Sequence, residues 1–317
     1  MLFRGRKASR YFILLLILLH HAGGLAQLCR EWGEPKLQGQ LPFHPLREAS
    51  GLVLSRSVPD RYYWINDSGD NGRLHFTRPD GKGAHTVEVT GFKPHDPEAL
   101  SLTRCDGNAC IVIADIGDNR GRRKTIELVF VKEQKEFGKT APVHKRLKLR
   151  YPDGAHDAEG LAFLPNGDLI IASKELSLFP LRSAVTSLYT LSASRIENAG
   201  RGVQTLRKLG GIPLPDWLPE DGVLGQAVSD MAVNFKRQVL GLLTYNRAVE
   251  IPLARLSELG RARNWKRDRD FSVVPVKTLT QQEALAYNPN VDQIIWSTEF
   301  LSLEAPIFSM TCGPVAP

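Results

Sequence analysis

The sequence has no apolar run long enough to span a bilayer, which takes about 20 residues. Its longest, residues 11–19, is cut off by His20 and His21. A Gly-rich phosphate loop, a His-Glu-x-x-His helix and a Gly-x-Ser-x-Gly elbow are all missing, which excludes P-loop, zincin and elbow-type serine chemistry. Long amphipathic helices are missing too. Residues 254–260 offer one helical turn at most, so no helical architecture competes. Cysteine is scarce, with four in 317 residues, all beyond residue 26.

Excess charge is also small where it matters. The chain carries +7, but Arg4, Arg6, Lys7 and Arg10 lie in a stretch without acids, so residues 27–317 carry +3. That is too weak a footprint for nucleic acid, and no such partner is expected. The densest basic stretch, residues 255–269, contains Arg255, Arg261, Arg263, Lys266, Arg267 and Arg269. It reads as a solvated loop, the sharper alternative being contact with an acidic surface such as lipid head groups.

The basic start, the short apolar run and Gly24-Leu25-Ala26 together read as a Sec-type signal peptide over residues 1–26, with an uncleaved anchor as the alternative. Cys29 lacks the small residue that a lipobox places before its cysteine. The expectation is a periplasmic or extracellular monomer, with no transmembrane span after cleavage and residues 27–317 forming a single domain. An even cysteine count suits an oxidising compartment. Cys105 and Cys110 flank a turn-like Asp-Gly-Asn-Ala and are expected to staple a hairpin; Cys29 and Cys312 would clamp the two ends. Other pairings stay open on sequence alone.

One motif recurs five times: Ser50-Gly51-Leu52, Glu98-Ala99-Leu100, Glu159-Gly160-Leu161, Ser229-Asp230-Met231 and Glu283-Ala284-Leu285, at spacings of 48, 61, 70 and 54 residues. Each opens a series of short apolar segments separated by Gly, Asp and Asn turns. In the second unit these are residues 98–102, 111–115, 126–132 and 146–151. Four antiparallel strands, repeated radially, make a propeller blade. The fold class is therefore an all-β β-propeller of five four-stranded blades. The last unit is one strand short, and residues 36–41 can supply it and close the ring. Six blades, with a degenerate one inside residues 176–226, is the alternative.

The first strand of each blade lines the central channel, so Ser50, Glu98, Glu159, Ser229 and Glu283 converge on the axis. Three carboxylates at short range need a counter-charge. A ring of oxygens without Cys or His suits Ca²⁺ rather than zinc. The competing reading is a coincidence of polar strand starts. His95-Asp96-Pro97-Glu98 recurs as His156-Asp157-Ala158-Glu159, so Asp96 and Asp157 either orient water on the metal or form turns. Asn66-Asp67-Ser68-Gly69-Asp70-Asn71 likewise matches Ala114-Asp115-Ile116-Gly117-Asp118-Asn119, which places Asp67 and Asp115 at equivalent strand ends. Lys174-Glu175, Tyr245-Asn246-Arg247 and Glu299 stand at the matching places in later blades. These strand ends should ring one mouth of the channel and hold a small anionic ligand. Arg120, Lys174, Glu175 and Arg247 are the expected substrate contacts. Asp67, Asp115 and Glu299 are the expected catalytic carboxylates, Asp115 being preferred because it lies near Arg120.

Residues 66–70, residues 114–120 and Tyr151-Pro152-Asp153-Gly154 with residues 157–161 resemble a family of exported bacterial propellers described as esterase-like or phytase-like. That resemblance spans most of residues 48–175. More distantly, the Ser, Glu, Glu, Ser, Glu order and Asn288-Pro289-Asn290 with residues 292–295 are similar to soluble calcium-activated nucleotidases, or apyrases. The second resemblance implies five blades and an axial Ca²⁺ on the same five residues; it does not extend to the loops that would hold a base. The expected activity is calcium-dependent hydrolysis of phosphoester or phosphoanhydride bonds. A calcium-stabilised binding or scaffold propeller is the alternative, and a lactonase or esterase the second.

Overall fold

Short strands with turn-rich connections build five blade sheets, antiparallel except for two edge strands, and one small two-stranded sheet. A computed structural model describes residues 27–67, 69–178, 180–300 and 304–313; the expected signal segment, residues 1–26, lies outside them. Blade 1 runs from Ala49–Leu54 at the axis through Tyr62–Asn66 and Arg73–Thr77 to His85–Thr90. Blade 2 runs Pro97–Cys105, Asn108–Asp115, Ile126–Lys132, Lys145–Arg150, and blade 3 Ala158–Phe163, Leu169–Ser173, Thr186–Leu191, Arg207–Ile212. Blade 4 runs Val228–Asn234, Val239–Thr244, Ala248–Pro252, Ser272–Val274. Blade 5 has Gln282–Asn288, Gln293–Thr298 and Pro306–Thr311, with Lys36–Gln40 as its outermost strand. Two blades gain an extra parallel edge strand: Thr140–Pro142 joins blade 1 and Gln204–Thr205 joins blade 2.

Burial follows position in the blade. Leu169–Ser173 is buried along its whole length, as a strand covered on both faces must be. The outer His85–Thr90 alternates, burying only Val87 and Val89. Five apolar clusters lie between neighbouring blades, one at each interface. The propeller thus has a core wedge per interface in place of a single centre.

Closure takes place at the N-terminal strand. Lys36 pairs with Ser309 and Gln40 with Pro306, antiparallel. Beside it the disulfide Cys29–Cys312 joins the two ends, and Cys105–Cys110 spans the Asp106-Gly107 turn. Arg237 adds a buried clasp. Its guanidinium pairs with Glu250 through both terminal nitrogens, meets Asp292 at 2.7 Å and stacks on Trp32 and Tyr287.

Residues 176–226 do not make a sixth blade. Among the described residues they form a small hairpin, Leu176–Leu178 with Leu181–Ser183, the two outer strands of blade 3 and short helical turns. The basic stretch is also more ordered than a solvated loop. Leu253–Asn264 winds as 3-10 turns that bury Leu256, Leu259 and Ala262, while Arg255 and Arg269 pair with the buried Asp270. Among the described residues no helix is long and apolar enough to cross a membrane.

Candidate functional site

Each innermost strand breaks register with its neighbour at the repeated motif. Pairing skips Glu98, Glu159, Ser229 and Glu283 in blades 2 to 5, and Gly51, next to Ser50, in blade 1. A bulge of this kind kinks the strand and re-aims a side chain, which explains why one motif serves all five blades. In blade 1 the bulged position must be glycine. Its φ is +67°, and a Cβ there would lie 2.7 Å from the Leu100 nitrogen.

Register also fixes which strand-end residues are equivalent. The residue before each motif Ser or Glu pairs with Asn66, Asp115, Ser173, Thr244 and Thr298 in blades 1 to 5. The next residues along are Asp67, Ile116, Lys174, Tyr245 and Glu299. Asp67, Lys174, Tyr245 and Glu299 all line a cavity of about 1530 Å³ at this end of the channel, together with Glu98, Glu159, Glu283, His156 and Glu175. The expected equivalence of Asp67 and Asp115 is therefore off by one residue.

That offset gives Asp115 a different task. Its buried carboxylate accepts the backbone N–H groups of His95 and Asp96 at 3.1 and 2.9 Å and pairs with Arg123 at 2.9 Å. Asn66 holds Glu48 N–H in the same way in blade 1, at 3.1 Å. Asp115 is thus a positioning residue for the strand that presents Asp96 and Glu98, and it does not line the cavity. Arg120 is exposed and Arg247 pairs with Asp221 at 3.2 Å; neither lines the cavity.

Oxygen ligands converge at one place beside the cavity, where Asp67 and Glu98 line it. Carboxylate oxygens of Asp67, Asp96 and Glu98 all lie within 4.8 Å of one another. Gly117 makes room for them, since a Cβ there would meet Glu98 Oε1 at 2.5 Å and Asp96 Cγ at 2.7 Å. Burial, then repulsion from Glu159, Asp67 and Asp96, pushes Glu98 well above the usual carboxylate range. Burial and the neighbouring Asp67 raise Asp96 to about 7. Burial and Glu159 raise Glu283 to about 8. Asp157 accepts the Asp118 N–H at 2.7 Å, and burial with Glu159 raises it to about 6.

The rest of the axial ring is partly satisfied from within the chain. Lys174 Nζ meets Glu159 Oε1 at 2.6 Å and donates to Tyr245 Oη at 2.9 Å; Tyr245 in turn donates to Glu283 at 3.2 Å. Burial disfavours the Lys174 ammonium, but Glu159 and Tyr245 outweigh it and hold its pKa above the ordinary value. Ser50 Oγ donates to the Glu98 carbonyl at 2.7 Å. Ser229 Oγ is buried without a hydrogen-bond partner among the described residues. The Asp67, Asp96 and Glu98 carboxylates, short of positive charge and offering only oxygen, fit a hard cation.

His156 emerges as a site residue that its turn-like His-Asp context did not single out. Its Nδ1 lies 3.1 Å from Glu175 Oε1, and its Nε2 lies 3.1 Å from Asp153 and 2.8 Å from Tyr189 Oη. The Glu175 hydrogen bond does most to raise the His156 pKa. Burial pushes Glu175 up, but bonds from His156 and Ser173 leave it below the ordinary carboxylate value. The recurring His-Asp pair was the only signal in the sequence.

No family model matches this chain, and no curated protein does, so its two family resemblances rest on the motifs alone. Solved structures align over most of its length at low identity. A protein of unknown function from Bacteroides thetaiotaomicron is 10% identical over 88% of this chain and 76% of that one, with a TM-score of 0.46. A gluconolactonase from Xanthomonas campestris is 9% identical over 88% and 89%, with a TM-score of 0.45. A streptogramin B lyase is 9% identical over 88% and 98%, with a TM-score of 0.44. Scores of this size carry no argument about chemistry, and the five-bladed propeller stands on this chain's own strand order.

Proposed function

We propose that the mouth cavity is the active site of an exported, calcium-dependent hydrolase of small esters. The observation that carries this is the Asp67, Asp96 and Glu98 cluster, three carboxylates within 4.8 Å of one another, two of which, Asp67 and Glu98, line a 1530 Å³ cavity. Asp67, Asp96 and Glu98 would hold the cation. Bound there, calcium supplies Lewis-acid polarisation of a substrate oxygen and neutralises charge that develops on it. Glu175, kept ionised by His156 and Ser173, would take a proton from an attacking water; Glu299, bonded by Gln281 and raised by burial, would return one. Lys174 and Tyr245 hold Glu159 and Glu283 in fixed positions.

Lining charge favours an uncharged substrate. Eight carboxylates line the cavity, against Lys174 and Arg182. A carboxylic ester or lactone enters that field without repulsion, whereas a polyphosphate needs accompanying cations. The phosphoester reading keeps one observation in its favour. Carboxylates with raised pKa values would take up extra calcium, and a phosphate can enter with it. Export to an oxidising compartment is part of the proposal and is supported by the two disulfides.

Turnover should be measured on lactones, short carboxylic esters, phosphomonoesters, phytate and nucleoside triphosphates, with calcium and with chelator. The expected result is calcium-dependent hydrolysis of lactones or esters that falls at least about 100-fold in Asp67→Asn, the scale of losing a metal-held step. Absence of turnover by folded, calcium-loaded protein would leave the binding or scaffold function instead.

A further inference from the structure

The opposite end of the channel carries a second, chemically different cavity. It has a volume of about 220 Å³ and is walled by the far ends of all five innermost strands, including Leu52, Leu100, Phe163, Met231 and Ala286. Its rim is cationic. Arg56 and Lys236 border it, and neither forms an ion pair among the described residues. The Arg56 guanidinium sits 4.4 Å above the ring of Phe235, which is 37% exposed. Glu133, the carboxylate that acts on Arg56, is engaged by the hydroxyls of Ser55, Ser57 and Tyr63. Arg104 adds a further positive charge nearby.

An apolar pit with unpaired cations at its lip is complementary to an amphipathic anion. We propose that this pit binds the chain of a medium-length fatty acid, with the carboxylate held by Arg56 and Lys236. A volume of 220 Å³ equals the liquid share of about seven waters, and a methylene takes up a similar space, so a chain of seven or eight carbons fills it. The exposed Phe235 face, already covered by Arg56, closes over the chain where it leaves the pit. This site is independent of the mouth cavity and of any hydrolytic activity there.

The test is titration calorimetry of the full-length mature protein with butyrate, hexanoate, octanoate, decanoate and 1-octanol. Affinity should rise about fourfold per added methylene up to octanoate and level off beyond it. Octanoate should bind one per chain and more tightly than 1-octanol. In the double variant Arg56→Gln, Lys236→Gln, octanoate should weaken at least tenfold while 1-octanol is unchanged, and an unaltered melting temperature shows that the variant is folded. Equal binding of octanoate and 1-octanol to the unmodified protein, no binding at all, or undiminished octanoate binding by the double variant would each overturn the proposal. Loss of octanoate binding in Asp67→Asn, with the double variant unaffected, would move the ligand to the mouth cavity and overturn it as well.

Discussion

Replacing Lys174 with methionine tests the electrostatics of the channel most directly. The substitution keeps the unbranched stem of the side chain, ending where the lysine carries Cε, and removes the charged Nζ. In the native protein the Lys174 side chain is 11% exposed and Glu159 2%, with Nζ and Oε1 2.6 Å apart. Breaking a buried pair by removing one partner costs about 3–5 kcal/mol, because the remaining charge is left without a counter-ion. Glu98 and Glu283 stand close enough to feel Lys174 as well, since it lowers the pKa of both. At about 2–4 °C per kcal/mol for a domain of this size, the variant should melt roughly 6–20 °C lower in chelator. Calcium should then restore more stability to the variant than it adds to the native protein, because it reaches carboxylates that have lost their ammonium; at 100 times Kd the linkage gain is about 2.7 kcal/mol. Differential scanning calorimetry with chelator and across a calcium series reads both effects. A variant that melts within about 2 °C of the native protein in chelator would refute the argument, since it would mean that the pair is not desolvated. Calcium gains equal in the two proteins would refute the second half alone.

Gly117→Ala should weaken calcium binding, read by titration calorimetry, since the added Cβ would meet Glu98 and Asp96 at 2.5–2.7 Å; backbone strain is not involved, so melting in chelator should move far less than calcium affinity. His156 has its pKa raised in the fold, so its contribution to stability is full below its unfolded value of about 6.5 and is lost as pH rises through the higher folded value. His156→Gln should therefore cost most at acidic pH, and the gap to the native protein should narrow above neutrality in denaturant titrations run at several pH values. Replacing Cys29 and Cys312 with serine removes a link between residues 283 apart and should cost about 2–5 kcal/mol in urea unfolding, while the local Cys105–Cys110 bridge costs less.

Much of the architecture was legible because a propeller repeats. Five copies of a Ser or Glu followed by an apolar segment gave the blade count and the strand that closes blade 5. Both disulfides followed from the same circular logic and from the turn composition between Cys105 and Cys110. What sequence spacing could not reveal was the register of one strand against the next. Asp67 and Asp115 occupy the same place in two matching hexapeptides, yet pairing sets Asp115 opposite Pro97 and leaves Asp67 one residue beyond the corresponding position. A single residue turns a side chain to the other face of a strand, so Asp67 reaches the cavity while Asp115 caps the backbone behind it. Nor could spacing show that Lys174 folds back onto Glu159, because a lysine's reach is decided by what surrounds it in three dimensions. The amino-acid sequence by itself determined which Ser and Glu oxygens stand at the start of the five innermost strands. Only the tertiary structure decided which of them remain short of positive charge, since that depends on burial and on distances between blades about 50–70 residues apart in the chain.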